Sequence, residues 1–428
     1  MCRLRLDIQE WTTLNPENEP RLADRFLRTA NARNIVSDLQ RAGILSIIEL
    51  KNGLSISTNS YVGSVEIDSL HIRVNSKLTG IPLMRLFQYA YGWRDLDIIG
   101  SADADTNACS FFDLLIAQLC SEVEELIHRG LYREYVLERA DSHVMKGRVD
   151  FSRLGKTGIG TRTTLPCEFF QRKLDHRLNR VILAGLHLAL RLVEDDGLAL
   201  RLETICRSLR ETKEVIDLND RLIEQTIRSL NRLVDVCRPA LDLIKLLYQG
   251  LGAELLGDRS PTIVKGYFFD MNRFFQRLVG TLLSEGLDSY IVQEEYTMHN
   301  VFSEDFSFQE QHKRPPALRP DFAIKKNATV IRLLDAKYRD IWENGLPREM
   351  LYQTSMYAMS GIGDHTATII YPTVNRAARR RRININDPLK GNMHSQVILQ
   401  PIDLGYLVNL LDDTRQLRSF VQTMVFGS

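Results

Sequence analysis

Four short runs near the N-terminus are strand-like, residues 44–48, 54–57, 65–67 and 71–74, and in the last three apolar and polar residues alternate with a period of two. A strand turns successive side chains to opposite faces, so these runs predict half-buried strands. Turn-forming residues separate them, as at Lys51-Asn52-Gly53 and Asp68-Ser69. Ahead of them, residues 20–43 read as one or two Arg-rich helices, and residues 82–91 read as another helix. Beyond residue 100 the period changes. Residues 113–130 carry apolar positions at helical spacing, with Glu122, Glu124 and Glu125 on the other face. Gly147, Gly155, Gly158 and Gly160 among few apolar residues predict a loop or hairpin over 143–167. Helical spacing resumes over 175–195 and 204–249. Glycines and a proline then crowd residues 250–264, which marks a boundary. The last part reads as a helix (268–285), a strand (291–296), a polar loop (303–316), two strands (319–324 and 329–338), a helix (348–359) and a strand (367–371). That order predicts a small sheet layered with helices. The expectation is an α/β fold, α+β overall. It has a β-rich domain over 1–100, a mainly helical region over 101–258 and a third domain over 259–428.

Composition narrows the picture only a little. The 428 residues are 44% hydrophobic and 25% charged, as in ordinary globular proteins. The 55 basic and 54 acidic side chains leave a net charge of +1, which excludes a uniformly basic nucleic-acid binder but not a local basic patch. None of the six cysteines (Cys2, Cys109, Cys120, Cys167, Cys206, Cys237) sits in a CxxC pair or a zinc-type spacing, so reduced thiols in a cytoplasmic protein are expected. The N-terminus has no signal-peptide pattern, and no apolar run reaches the ~18 residues of a membrane helix. The longest, residues 181–193, contains His187 and Arg191 and reads as a buried helix.

The chemistry concentrates in the hairpin 318–338. Asp335 and Lys337 are two apart on one predicted strand and share a face. With the turn near Ala328, Asp321 falls opposite Asp335, and directly opposed side chains lie about 5 Å apart. Two carboxylates that close repel each other, and a divalent cation relieves the conflict. Hard oxygen ligands suit Mg²⁺ or Mn²⁺. Lys337 beside that site suits stabilisation of developing negative charge better than proton abstraction. The plainer alternative is a salt-bridged strand end. Gln353 and Tyr357 are four apart and lie on one face of the following helix, within reach of the metal site or of a phosphate oxygen. A solvated Gln beside a core Tyr is the alternative. Arg376, Arg379, Arg380, Arg381 and Arg382, followed by Lys390, form a basic run that is either a solvated surface or a DNA-backbone contact.

The set Arg319-Pro320-Asp321, then LLDAKY, then Gln353 with Tyr357, resembles the PD-(D/E)xK nuclease core with its QxxxY helix. The whole chain resembles the McrC subunit family of 5-methylcytosine-specific restriction systems. Further likeness lies in Tyr61-Val62-Gly63, residues 72–77, residues 146–151, residues 175–180 and Asp270-Met271-Asn272. The resemblance implies a DNA endonuclease with Asp321, Asp335, Lys337, Gln353 and Tyr357 as its site and Asp321 and Asp335 on the metal. It also implies an N-terminal region that docks on a McrB-like AAA+ GTPase or ATPase motor and stimulates it. One departure stands out. Where the family commonly has a Glu after an apolar pair, this chain has Phe274-Phe275-Gln276, and Gln brings no negative charge to a metal. Glu294 and Glu295 are the candidate substitutes. Gly155-Lys156-Thr157 is not a P-loop, because Asp150 stands where the first glycine is required and no apolar strand precedes it. Nucleotide hydrolysis is therefore assigned to the partner. A RecB-like repair nuclease and a regulatory motor-binding subunit with weak or no cleavage remain the alternatives.

Overall fold

The computed structural model describes residues 4–77, 80–92, 111–153, 163–209, 216–232, 234–250, 266–299, 301–302, 317–327 and 329–427. The Gly155-Lys156-Thr157 segment, the predicted polar loop 303–316, the turn residue Ala328, Cys2, Cys109 and nearly all of the predicted boundary 250–264 lie outside them. The chain divides into two compact units, Met1–Phe111 with Leu251–Ser428, and Phe112–Gly250.

In the first unit the four predicted N-terminal strands and two unpredicted ones, β1 (Leu4–Gln9) and β2 (Thr13–Leu14), form two sheets. Strands β1, β5 (Tyr61–Ile67) and β6 (Leu70–Asn75) build one of them, and β2, β3 (Leu45–Leu50) and β4 (Gly53–Thr58) build the other. Helix α1 (Ala30–Arg41) is capped by the Thr29 hydroxyl, which accepts from Ala32 N, and it lays Ile35, Val36 and Leu39 into their shared core; helix α2 (Gly80–Tyr91) comes after the strands. The first of these sheets has the order β1-β6-β5-β10, and its last member is β10, Gly266–Asp270. This departs from the helix expected to begin at residue 268. The Tyr267-Phe268-Phe269 run pairs antiparallel with β5, and Asp270 then caps helix α8 (Met271–Gly286) by accepting from Asn272 N. The pairing explains Gly63. Its φ is +147°, and a Cβ there would overlap the Tyr267 carbonyl oxygen.

A six-stranded sheet follows in the order β11-β12-β13-β14-β16-β15. Its members are β11 (Ile291–Glu294), β12 (Phe322–Lys326), β13 (Thr329–Ala336), β14 (Thr366–Thr373), β15 (Arg381–Asn386) and β16 (Met393–Asp403). Strands β13, β14 and β16 run parallel, and β14 is buried throughout its length, as a central parallel strand must be. Helix α10 (Arg348–Met359) covers one face, with Tyr357 and Ala358 packed on Ala323, Leu333 and Ala367. A short helix α9 (Ile341–Asn344) precedes it. On the other face, Gly280 of α8 lies against the Phe322 ring. Helices α11 (Leu404–Leu410) and α12 (Thr414–Phe426) close the chain, with Val421 of α12 packed against Gly286 of α8.

The second unit is mainly helical: α3 (Phe111–Arg129), α4 (Arg177–Leu192), α5 (Asp196–Ser208), α6 (Asp220–Arg228) and α7 (Arg238–Gly250). The residues expected to form a loop or hairpin take part in a ribbon, β7 (Glu134–Ser142) against β9 (Leu165–Lys173), with β8 (Arg148–Val149) beside β9. Residues 175–180 serve α4 locally. Asp175 pairs with Arg180, and His176 and Asn179 both reach the Tyr132 carbonyl. No helix among the described residues is long and apolar enough to cross a membrane.

Candidate active site

Strands β12 and β13 pair with Phe322 opposite Leu334, so one further step along that register sets Asp321 opposite Asp335. Asp335 sits at the carboxyl end of β13 with 1% of its surface exposed. Its neighbour Lys337 places Nζ 2.9 Å from Asp335 Oδ2, yet neither Asp335 oxygen receives a hydrogen bond of acceptable geometry. The ion pair is close but badly directed. A buried carboxylate in that state is costly, because desolvation is only partly offset. Asp321 is better served. Its Oδ2 accepts from Ala336 N at 2.8 Å and its Oδ1 from Gln276 Nε2 at 3.2 Å.

Burial, and then the charge of Asp335, push the Asp321 carboxyl up to about 7. Lys337 is raised: burial pulls it down, but the charge of Asp335 at 2.9 Å and then that of Asp321 outweigh the pull. The lysine therefore holds its proton through neutrality. The carboxyl pair fits a hard divalent cation. Asp335 offers two buried oxygens without hydrogen bonds, and Asp321 gives up its proton only reluctantly beside a second negative charge. Among the described residues no group of three or more His, Cys, Asp or Glu side chains gathers at one point, so these two carboxylates would hold the ion with water and substrate oxygens completing its shell.

Gln276 occupies the place where a third acid was sought and reaches Asp321 as a donor. Glu294 turns toward α8 at Gly280, one helical turn from Gln276, and Glu295 donates its backbone N–H to the Asp321 carbonyl at 2.7 Å. Tyr357 is buried. Its hydroxyl donates to the Arg319 carbonyl at 3.2 Å and receives Gln353 Nε2 at 2.7 Å. Burial and then the Asp335 charge raise the Tyr357 hydroxyl. The helix pair thus braces the Arg319-Pro320-Asp321 segment, while the Gln353 residue is largely exposed.

The pleat splits the arginine run. Asp335 pairs with Ile369, Ile369 with Leu399 and Leu399 with Arg381. Cross-strand partners share a face, so Arg381 lies in the same row as Asp335, three strand spacings or about 14 Å away. Arg380 and Arg382 turn to the other face, where they line a cavity of about 220 Å³ with Gln400, Phe420, Thr423 and Met424. Arg376 and Arg379 occupy the connection that leaves the carboxyl end of β14, at the same end of the sheet as Asp335. Among the described residues none of these five guanidinium groups pairs with a carboxylate. Burial, and then the charges of Arg382 and Arg332, lower the Arg380 guanidinium.

A missed feature adjoins the site. Tyr338, directly after Lys337, is 3% exposed and donates its hydroxyl to Glu10 Oε1 at 2.9 Å. Trp11 Nε1 donates to the Tyr338 carbonyl at 2.9 Å. A contact spanning 328 residues leaves no local signal in the chain.

Residues 56–372 match the family described as McrBC 5-methylcytosine restriction system component. Among solved structures, the chain resembles one of a Thermococcus gammatolerans tetradecameric assembly of McrB AAA+ hexamers with bound McrC. Identity is 17% and the TM-score is 0.65, over 98% of this chain and 100% of that one. A cryo-EM structure of the T. gammatolerans McrBC complex aligns at 18% identity and TM-score 0.47, over 66% of this chain and 88% of that one. Among curated proteins none matches the chain.

Proposed function

Because this chain belongs to the family of McrBC 5-methylcytosine restriction system components, we propose that it is the DNA endonuclease subunit of such a system, cutting phosphodiesters with Mg²⁺ or Mn²⁺ and working with an AAA+ GTPase or ATPase partner. The observation that carries the reading is the opposed pair of half-buried Asp321 and buried Asp335, with Asp335 lacking directed hydrogen bonds although Lys337 stands 2.9 Å away. A salt-bridged strand end is the rival, and a strand end built for stability alone gains nothing from a second carboxylate opposite the first.

The two carboxylates would hold the cation. When bound, it supplies charge neutralisation and an acidified water at the phosphodiester. The remaining work falls to the chain's own groups. Asp321 is kept in register by Ala336 N and Gln276, so its oxygen faces the site without rotating away. Lys337 keeps its proton and presents a positive charge where the pentacoordinate phosphorane-like transition state accumulates negative charge. Tyr357, braced by Gln353, holds the Arg319 carbonyl and with it the approach of Asp321 to the site. Arg376, Arg379 and Arg381 stand at the same end of the sheet and offer unpaired positive charge to the DNA backbone.

The matched region extends from residue 56, far upstream of the nuclease core, which favours this reading over a free-standing repair nuclease. The McrB partner is proposed because the T. gammatolerans assembly holds McrB hexamers with bound McrC. Gln276 in place of an acid supports a second reading, a motor-regulating subunit with weak cleavage.

The test is plasmid cleavage, methylated and unmethylated, with Mg²⁺, by the chain alone and with the partner subunit plus GTP or ATP. Cleavage that needs the partner and is abolished by Asp335→Asn supports the proposal. Stimulated hydrolysis with no cleavage under any condition supports the regulatory subunit instead.

A further inference from the structure

Lys337 can stabilise a transition state only if its ammonium group is held in place; Asp335 pairs with that group, but the backbone that carries it lies past the end of the strand ladder. The ladder of β13 with β14 ends at Ala336 opposite Ile370, and Lys337 adds a single bond, its N–H to the Ile370 carbonyl at 2.9 Å. The chain then turns sharply, with Arg339 N donating back to the Lys337 carbonyl at 2.8 Å. From that point the grip comes from the N-terminus. Glu10 Oε1 accepts from the Tyr338 hydroxyl at 2.9 Å and from Lys77 N at 3.1 Å, and Ser76 Oγ lies 3.4 Å from the same hydroxyl. Trp11 Nε1 holds the Tyr338 carbonyl, and the Arg339 guanidinium lies over the Trp11 ring at 5.1 Å. Two consecutive residues thus hold both ends of Tyr338, hydroxyl and carbonyl. The ring of Tyr338 also approaches Phe275 on α8, the neighbour of Gln276, which bonds Asp321.

We propose that Glu10 and Trp11 form a positioning clamp on Tyr338 that sets the place of the Lys337 ammonium in the cleavage reaction. The clamp rests on the nuclease reading above. It acts through Lys337 and touches no substrate. The anchor is itself rigid: Glu10 is 2% exposed, and its backbone N–H is bonded to the Asn75 carbonyl at the end of β6. A shift of the sheet that contains β1 and β6 therefore moves Tyr338, and Lys337 with it. Packing alone needs the ring of Tyr338 but not its hydroxyl, which is where the two roles separate.

The experiment uses the full chain with its partner subunit, nucleotide and Mg²⁺, and measures single-turnover DNA cleavage at 25 °C. Tyr338→Phe and Glu10→Ala are expected to lower the rate at saturating DNA at least tenfold, with the half-saturating DNA concentration unchanged within twofold. Glu10→Gln, which keeps an acceptor for Tyr338 and for Lys77 N, is expected to retain most of the rate. Tyr338→Phe is expected to melt within a few degrees of the parent. Full-rate cleavage by Tyr338→Phe, with Lys337→Ala inactive, overturns the clamp alone. Undiminished cleavage by Lys337→Ala overturns the nuclease reading and the clamp together. A rate that falls only in proportion to the folded fraction shows a packing role and also overturns the clamp.

Discussion

A proton and a divalent cation compete for the same oxygens at Asp321. Burial and the Asp335 charge hold its carboxyl at about 7, so the pair takes up a proton near neutrality unless a cation replaces it. The cleavage rate should rise as pH passes upward through this range, and more Mg²⁺ should move the midpoint to lower pH. A midpoint indifferent to Mg²⁺ concentration refutes the assignment of Asp321 as a ligand. Glu10 is a second buried acid. Burial raises it from 4.5 to about 7, against the lowering effect of its bonds from Lys77 N and Tyr338. An acid raised in the folded state contributes most below its unfolded value of 4.5, and that contribution is lost as pH climbs to about 7. Glu10→Gln should therefore remove a pH-dependent difference of about 3 kcal/mol across this window. Chemical denaturation of parent and variant at pH 4.5 and 7.5 checks it, and parallel curves refute it. The acid pair was legible in the sequence because period-two spacing sets which residues share a strand face. Glu10 was not, because its partner Tyr338 is brought to it only by the tertiary fold.

At the scale of the element, strand β15 turns a run of arginines into two surfaces. Arg381 shares a row with Asp335, while Arg382 faces the cavity under α12. Arg381→Gln should therefore weaken DNA binding and slow cleavage more than Arg382→Gln does. It should also reduce the slope of log K against log salt by roughly 0.9 if it meets one phosphate. Equal effects from the two variants refute the division. Strand β10 carries its own prediction. Gly63→Ala forces a side chain onto the Tyr267 carbonyl at a φ of +147°, and should destabilise the fold by at least about 2 kcal/mol in a thermal melt. A melt matching that of the parent refutes it. Helix α10 was read from the sequence with its bounds intact, and β13 nearly so, because Pro347 precedes the helix, Gly361 follows it, and the strand is a largely apolar run after a turn. Strand β10 was absorbed into the helix after it, since Tyr267-Phe268-Phe269 runs straight into the Phe274-Phe275 stretch and a five-residue aromatic strand has no period to show. Strands β15 and β16 and the two closing helices went unread behind the arginines, whose charge masked the weak alternation of Ile383 and Ile385.

For the molecule as a whole, the sheet β1-β6-β5-β10 joins the first seventy-odd residues to the start of α8. A fragment beginning at residue 259 keeps β10 but loses β5, leaving an unpaired edge and removing the partners of Tyr338. Such a fragment should be insoluble or melt without cooperativity, and a well-folded, active fragment refutes this account. If the chain is the nuclease proposed above, the bond between Glu10 and Tyr338 also bears on when it could first cut DNA. A ribosome delivers Glu10 long before Tyr338, and Lys337 has its backbone bond only once Ile370 has been made. A chain released early carries the acids without the strand that seats the lysine, and a chain started late lacks the residues that grip Tyr338. On the nuclease reading proposed above, unfinished and late-started products would lack an assembled cutting centre, and the order in which the parts must meet would shield the cell from such fragments.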